Sequence, residues 1–169
     1  MDASPAQSQP LIVSEAEYRS AIDELLGLAQ REVCIFDRDL GRLALDAKDR
    51  SALVETFIAA DSLRRLRIVL HDSAVVEGAS PRLRELIRRF PGRIELRQTP
   101  DELRHLADSL FLVDGQHGLI RFHVDHARSK RVLADPAPVN PTELAGRLQR
   151  FEDLWEASAP LSLGTVLGL

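Results

Sequence analysis

Leu66-Arg67-Ile68-Val69-Leu70, followed at once by His71-Asp72, is the stretch whose reading decides the fold class. Five residues are too few for a stable helix, and all but Arg67 are apolar. The run therefore reads as a strand buried on both faces that ends in polar groups. Val33-Cys34-Ile35-Phe36, ending in Asp37-Arg38-Asp39, has the same layout earlier in the chain. Between the two lies a helical pattern, capped near Asp49 or Ser51, with Leu53, Val54, Phe57 and Ile58 on its apolar side. Strand, helix and strand with short connections predict a parallel pair joined by a right-handed crossover.

Working outward, Ser14-x-x-Glu17 is a capping box, with Val13 and Tyr18 as a hydrophobic staple. It predicts a helix from Glu15 to about Gln30, with Tyr18, Ile22, Leu25 and Ala29 on one face. Downstream, Ser80-Pro81 opens a helix carrying Leu83, Leu86, Ile87 and Phe90, stopped by Pro91-Gly92. Arg93 to Arg97 alternates as a third strand, and Thr99-Pro100-Asp101-Glu102 caps a short helical turn. Leu110 to Val113, a turn at Asp114-Gly115, and Leu119 to Val124 form a hairpin; Arg131 to Ala134 is one more strand. Asn140-Pro141-Thr142-Glu143 starts a last helix with Leu144, Leu148, Phe151 and Trp155 as its stripe. The pattern predicts an α/β fold: a mixed, mostly parallel sheet flanked by helices on both faces. Residues 1–10 read as a disordered tail and 11–169 as a single domain.

The 169 residues are 44% hydrophobic and 28% charged, an ordinary globular balance. A net charge of −4 leaves no global basic field for nucleic acid or an anionic membrane. The one cysteine, Cys34, excludes an internal disulfide or a multi-cysteine zinc cage, and a cytoplasmic location is expected from it. No run approaches the roughly 18 apolar residues of a membrane span.

In an open α/β sheet, ligands bind beyond the carboxyl ends of the strands. Asp37, Arg38, His71 and Asp72 end strands there, and supply carboxylates, an imidazole and a guanidinium fork suited to an anion such as phosphate. Helix capping and mutual pairing are the other reading of the same residues. His105, His117, His123 and His126 are close in sequence, but alternation along a strand sends His123 and His126 to opposite faces, so no metal site is expected. His123 has the chemistry of a general acid/base or nucleophile, oriented by Asp114 or Asp125. Cys34 reads as inert core. Arg82, Arg84, Arg88 and Arg89 give one helix a basic face, read as a solvated surface or, less favourably, a nucleic-acid contact. No glycine-rich phosphate loop, Gly-x-Ser-x-Gly or His-Glu-x-x-His is present, and no cofactor is implied.

The order of elements, and above all LFLVDG (Leu110 to Gly115) with the later helix FEDLWEAS (Phe151 to Ser158), resembles one half-domain of the phospholipase D superfamily over residues 30 to 158. That resemblance implies a bacterial domain whose His-x-Lys-x4-Asp signature retains its Asp as Asp114. Ala107 stands at the nucleophile position and Ser109 at the lysine position, and Arg121 to Asp125 replaces the Gly-Ser-x-x-Asn segment. Loss of the covalent nucleophile removes the step on which the family mechanism depends. Arg121, His123 and Arg128 bring cationic or titratable groups to the region where the family holds phosphate. The reading is a degenerate, non-catalytic binding or regulatory module for an anionic or phosphate-containing ligand, with nucleic acid disfavoured and a homodimer implied by the family's pairing of halves. The alternative is a metal-independent phosphodiesterase or nuclease in which His123 acts with Asp114 or Asp125, which requires His123 and Asp114 to face one cavity.

Overall fold

The computed structural model describes residues 10–134 and 142–163. Chain order is α1 (Glu15–Leu28), β1 (Glu32–Asp37), α2 (Lys48–Ala59), β2 (Arg65–Leu70), α3 (Ala74–Ala79), α4 (Pro81–Arg89), β3 (Ile94–Gln98), a 3-10 turn (Asp101–Leu103), β4 (Ser109–Val113), β5 (His117–Arg121), β6 (Ser129–Leu133), α5 (Glu143–Ala157) and β7 (Ala159–Pro160). All seven strands form one sheet in the order β6-β5-β4-β1-β2-β3-β7. The tail expected over residues 1–10 falls outside the described residues except for Pro10.

The mixed sheet with helices on both faces forms as expected. Its parallel share is smaller than expected: β1–β2 and β2–β3 are parallel, whereas β1–β4, β4–β5, β5–β6 and β3–β7 are antiparallel. The cause is that β4 follows a short turn rather than a crossover helix, so it enters beside β1 from the opposite end.

The pleat sends alternate residues to two cores. Val33 and Ile35 of β1 join α1, α2 and α4 on one face, with Leu161 and Leu163 of the chain's end packed against them. Cys34 and Phe36 point the other way, to Leu144, Phe151, Leu154 and Trp155 of α5. Ser14 caps α1 as its capping box predicts, accepting from the Glu17 amide, and Thr142 caps α5 by accepting from Ala145. Gly118 is required by packing: a Cβ there would meet Val132 at 2.8 Å and Leu144 at 3.0 Å.

Candidate functional site

The carboxyl ends of β1 and β2, the start of β4 and the end of β5 meet on one rim, because β4 and β5 run antiparallel to their neighbours. On the α1 face of that rim, Ser109 and Ser129 both pair in register with Arg121, so the three side chains share a face. Asp37 and Tyr18 complete the group. Tyr18, Asp37, Ser109, Arg121 and Ser129 are all at most 1% exposed.

Arg121 is the largest fully buried side chain, and its charge is met by Glu15 in the first turn of α1. Nη1 and Nη2 donate to the two carboxylate oxygens at 2.9 and 2.5 Å, a fork-to-fork pair, while Nε donates to the His123 carbonyl at 3.3 Å. The guanidinium also lies 4.8 Å from the Tyr18 ring centroid. Arg121 holds the Glu15 carboxyl below its ordinary range by hydrogen bonding and charge. Burial pushes the Tyr18 hydroxyl and the Asp37 carboxyl up. Asp37 Oδ2 accepts from the Leu40 and Asp39 amides at 2.7 and 3.2 Å, which pins Leu40 at φ 71°. Asp37 Oδ1 and Ser129 Oγ are buried with no partner among the described residues.

Around this cluster the rim is cationic. Arg19 and Arg42 both act on the Glu15 carboxylate, and the Arg19 guanidinium donates to the Arg42 carbonyl at 3.4 Å. Among the described residues, neither forms a salt bridge. Arg38 is paired with Asp125 at 3.0 Å, which ties the 122–128 loop to the end of β1. That loop is also held by the Val124 amide donating to the Ala107 carbonyl at 2.8 Å.

The other expected site residues take different places. His71 lies on the α5 face, edge-on to Phe36, with Nδ1 2.6 Å from Thr99 Oγ1 and Nε2 2.7 Å from the Leu106 carbonyl. Both ring nitrogens are engaged, and the carbonyl can only accept, so Nε2 carries a proton and the imidazole is a structural clamp. Asp72 caps the start of α3, accepting from the Ala74 amide at 2.8 Å. Arg128 stacks 5.7 Å from the exposed Phe122 ring, away from Arg121.

Asp114 is the clear correction. It sits at the opposite rim, where its carboxylate accepts from the Gln30, Arg31 and Glu32 amides, each at 2.8 Å. The β4–β5 register puts the length of a five-residue strand, about 14 Å, between it and Arg121. His123 and Asp114 therefore do not face one cavity. His123 and His126 also depart from expectation: the chain turns there instead of continuing as strand, and their rings come within 4.9 Å. His123 Nδ1 accepts from the Asp125 amide at 3.1 Å, so in the neutral ring the proton sits on Nε2. No group of three or more metal-ligating side chains gathers among the described residues.

The basic face of α4 is largely neutralised: Arg82 lies 3.9 Å from Asp46, Arg88 2.5 Å from Glu85 and Arg89 2.7 Å from Glu55. Cys34 is buried in the α5-side core, and desolvation pushes its thiol up, as expected of inert core. Sequence reading took Glu15 only for a helix start and Tyr18 only for core, and missed Arg19, Arg42 and Ser129 altogether. The one available signal was an acidic residue in a helix first turn, which capping and dipole effects already explain.

The chain belongs to the family described as Domain of unknown function (DUF7931), whose model matches residues 14–163. No curated protein matches it. Among solved structures it is similar to TrmBL2, described as an archaeal chromatin protein with a novel mode of DNA binding, at 13% identity and a TM-score of 0.62 over 94% of this chain. This chain spans 56% of the length of TrmBL2. It is similar to NucT from Helicobacter pylori at 8% identity and a TM-score of 0.56, over 90% of this chain and 98% of that one. It is also similar to phosphatidylserine synthase from Haemophilus influenzae Rd KW20, at 12% identity and a TM-score of 0.58, over 85% of this chain and 37% of that one. These likenesses identify the fold as phospholipase D-like. No helix among the described residues is long and apolar enough to cross a membrane.

Proposed function

We propose that this member of the DUF7931 family is a non-catalytic phospholipase D-like module that binds an anionic group at the carboxyl-end rim. The observation that carries the reading is the state of Arg121. Where a phosphodiesterase needs an accessible nucleophile, the rim holds Ala107, Ser109 and a guanidinium at 0% exposure already neutralised by Glu15. Neither His123 nor His71 has a nucleophile's arrangement. A histidine nucleophile attacks through an unprotonated nitrogen while its other N–H is held by an acceptor. His123 has the reverse, since its Nδ1 accepts from an amide. His71 is closed on both sides.

Hydrolysis of a generic phosphodiester such as bis(4-nitrophenyl) phosphate, with chelator present, tests this directly. The wild-type protein and His123→Ala should both stay at the buffer rate. Turnover by the wild type that His123→Ala abolishes would establish the rival reading, a metal-independent phosphodiesterase in which His123 acts with Asp125. The homodimer that the fold resemblance implies is part of the same proposal, and a monomeric mass in solution would remove it.

A further inference from the structure

We propose that Arg121, with the Ser129 hydroxyl beside it, forms a binding pocket for the phosphate group of a small phosphate monoester, that Glu15 occupies this pocket as an internal substitute anion, and that the ligand enters between Arg19 and Arg42 by displacing Glu15. This rests on the reading of the rim as an anion site, and specifies its ligand and its gate.

Four observations carry it. First, the Glu15–Arg121 geometry is the planar two-bond contact that a guanidinium makes equally with a carboxylate or with two phosphate oxygens. Second, Glu15 is the one member of the cluster that reaches solvent: its side chain is 36% exposed, whereas Arg121 is at 0%. Swinging one side chain outward therefore uncovers the guanidinium without unpacking the core. Third, Ser129 Oγ is buried and unpartnered next to Arg121, leaving a hydroxyl donor that the Glu15 carboxylate does not use. Buried polar groups are nearly always paired, so an orphaned hydroxyl beside a buried cation marks a place for an acceptor. Fourth, Arg19, one helical turn beyond Glu15, and Arg42, whose carbonyl accepts from the Arg19 guanidinium, both act on the Glu15 carboxylate and form no salt bridge among the described residues. They offer a dianion more charge complementarity than a single carboxylate uses. The first turn of the fourteen-residue α1 adds its positive dipole end at the same point.

The Asp37 carboxyl lies on the same face of the sheet as Ser109 and Arg121. Burial favours its protonated form, in which it opposes an incoming anion less and offers an O–H. A buried ion pair contributes little net stability over apolar packing of the same shape, which leaves room for a binding role at this position.

The experiment is calorimetric titration of inorganic phosphate and glycerol phosphate, with acetate as a planar monoanion control, into the wild-type chain, Glu15→Gln, Arg121→Gln and the double variant. Glu15→Gln keeps the shape and removes the competing charge. It should bind both phosphates at least about tenfold more tightly than wild type, a gain of about 1.4 kcal/mol. Arg121→Gln should abolish binding in either background, and acetate should show no such gain. Equal phosphate affinity in wild type and Glu15→Gln, undiminished by Arg121→Gln, would overturn the gate while leaving an anion site at the exposed rim groups. Absence of phosphate binding in every variant would overturn both the gate and the anion-site reading. If Glu15→Gln fails to fold, the carboxyl carbon resonance of Glu15 in the wild-type chain is followed during phosphate titration. Movement that saturates with phosphate supports displacement, and a stationary resonance refutes it.

Discussion

Removing the Asp114 carboxylate separates a structural role for this residue from one in chemistry. Its two oxygens accept three amide protons, from Gln30, Arg31 and Glu32, each at 2.8 Å, and so fasten the end of α1 and the start of β1 to the β4–β5 turn. Gln30 and Arg31 are exposed, so water replaces part of what is lost; at about 1 kcal/mol per bond the truncation costs about 3 kcal/mol. Asp114 also sits at φ 56°, where alanine costs about 1 kcal/mol more than a residue that tolerates the left-handed region. Asp114→Ala should therefore lose about 4 kcal/mol, lowering Tm by roughly 8–16 °C for a domain of this size. Asp114→Asn tolerates the φ and keeps one oxygen for Arg31 and Glu32, so it should lose only about a third as much. Urea and thermal unfolding followed by circular dichroism measure both. A cost below about 1 kcal/mol for Asp114→Ala, or a change in phosphate affinity at the rim about 14 Å away, would rule out a purely structural role for Asp114.

Other expectations follow from the same geometry. Gly118→Ala drives a methyl into Val132 and Leu144 and should cost about 1–3 kcal/mol in urea unfolding, with the sheet retained. Asp37→Asn should stabilise the protein at pH 7. A carboxyl whose folded value lies above its ordinary 3.8 contributes stability that is full below 3.8 and lost as pH rises through the folded value, so the gain over wild type should vanish towards pH 3.8 in a series of melts. The Glu15 and Glu152 carboxyls, held low by Arg121 and Arg67, act in the opposite sense. Their stabilisation is full above the ordinary 4.5 and disappears as pH falls below it, so Arg67→Gln should flatten the acid limb of the stability profile. Arg88→Glu with Arg89→Glu should leave any salt-sensitive binding of single-stranded DNA unchanged in a titration, because Glu85 and Glu55 already neutralise that face.

Much of the fold is legible one element at a time. The capping box at Ser14, the helix start at Thr142, the apolar runs of β1 and β2, and the Asp114-Gly115 turn each depend on residues within a few positions of one another, and local patterns of that kind survive into the structure. Two elements escaped. In α3, Ala74-Val75-Val76-Glu77-Gly78-Ala79, the helix is short and carries a glycine, so no period stands out. In β7, two residues are too few for any pattern, and the pairing with Arg97 and Gln98 comes from the returning chain.

Composition and hydrophobic period alone establish the α/β class and the strands that end in polar groups, because both are properties of neighbouring residues. Which polar groups share a site depends on strand order and packing. Alternation and strand direction set the face and rim of every side chain, so antiparallel β4 carries Asp114 away from Asp37, while the pleat separates His71 from Arg121. The partner of Arg121 lies 106 residues away on another element. A charge pair of that separation leaves no periodic trace in the chain; the packing of α1 against the sheet creates it.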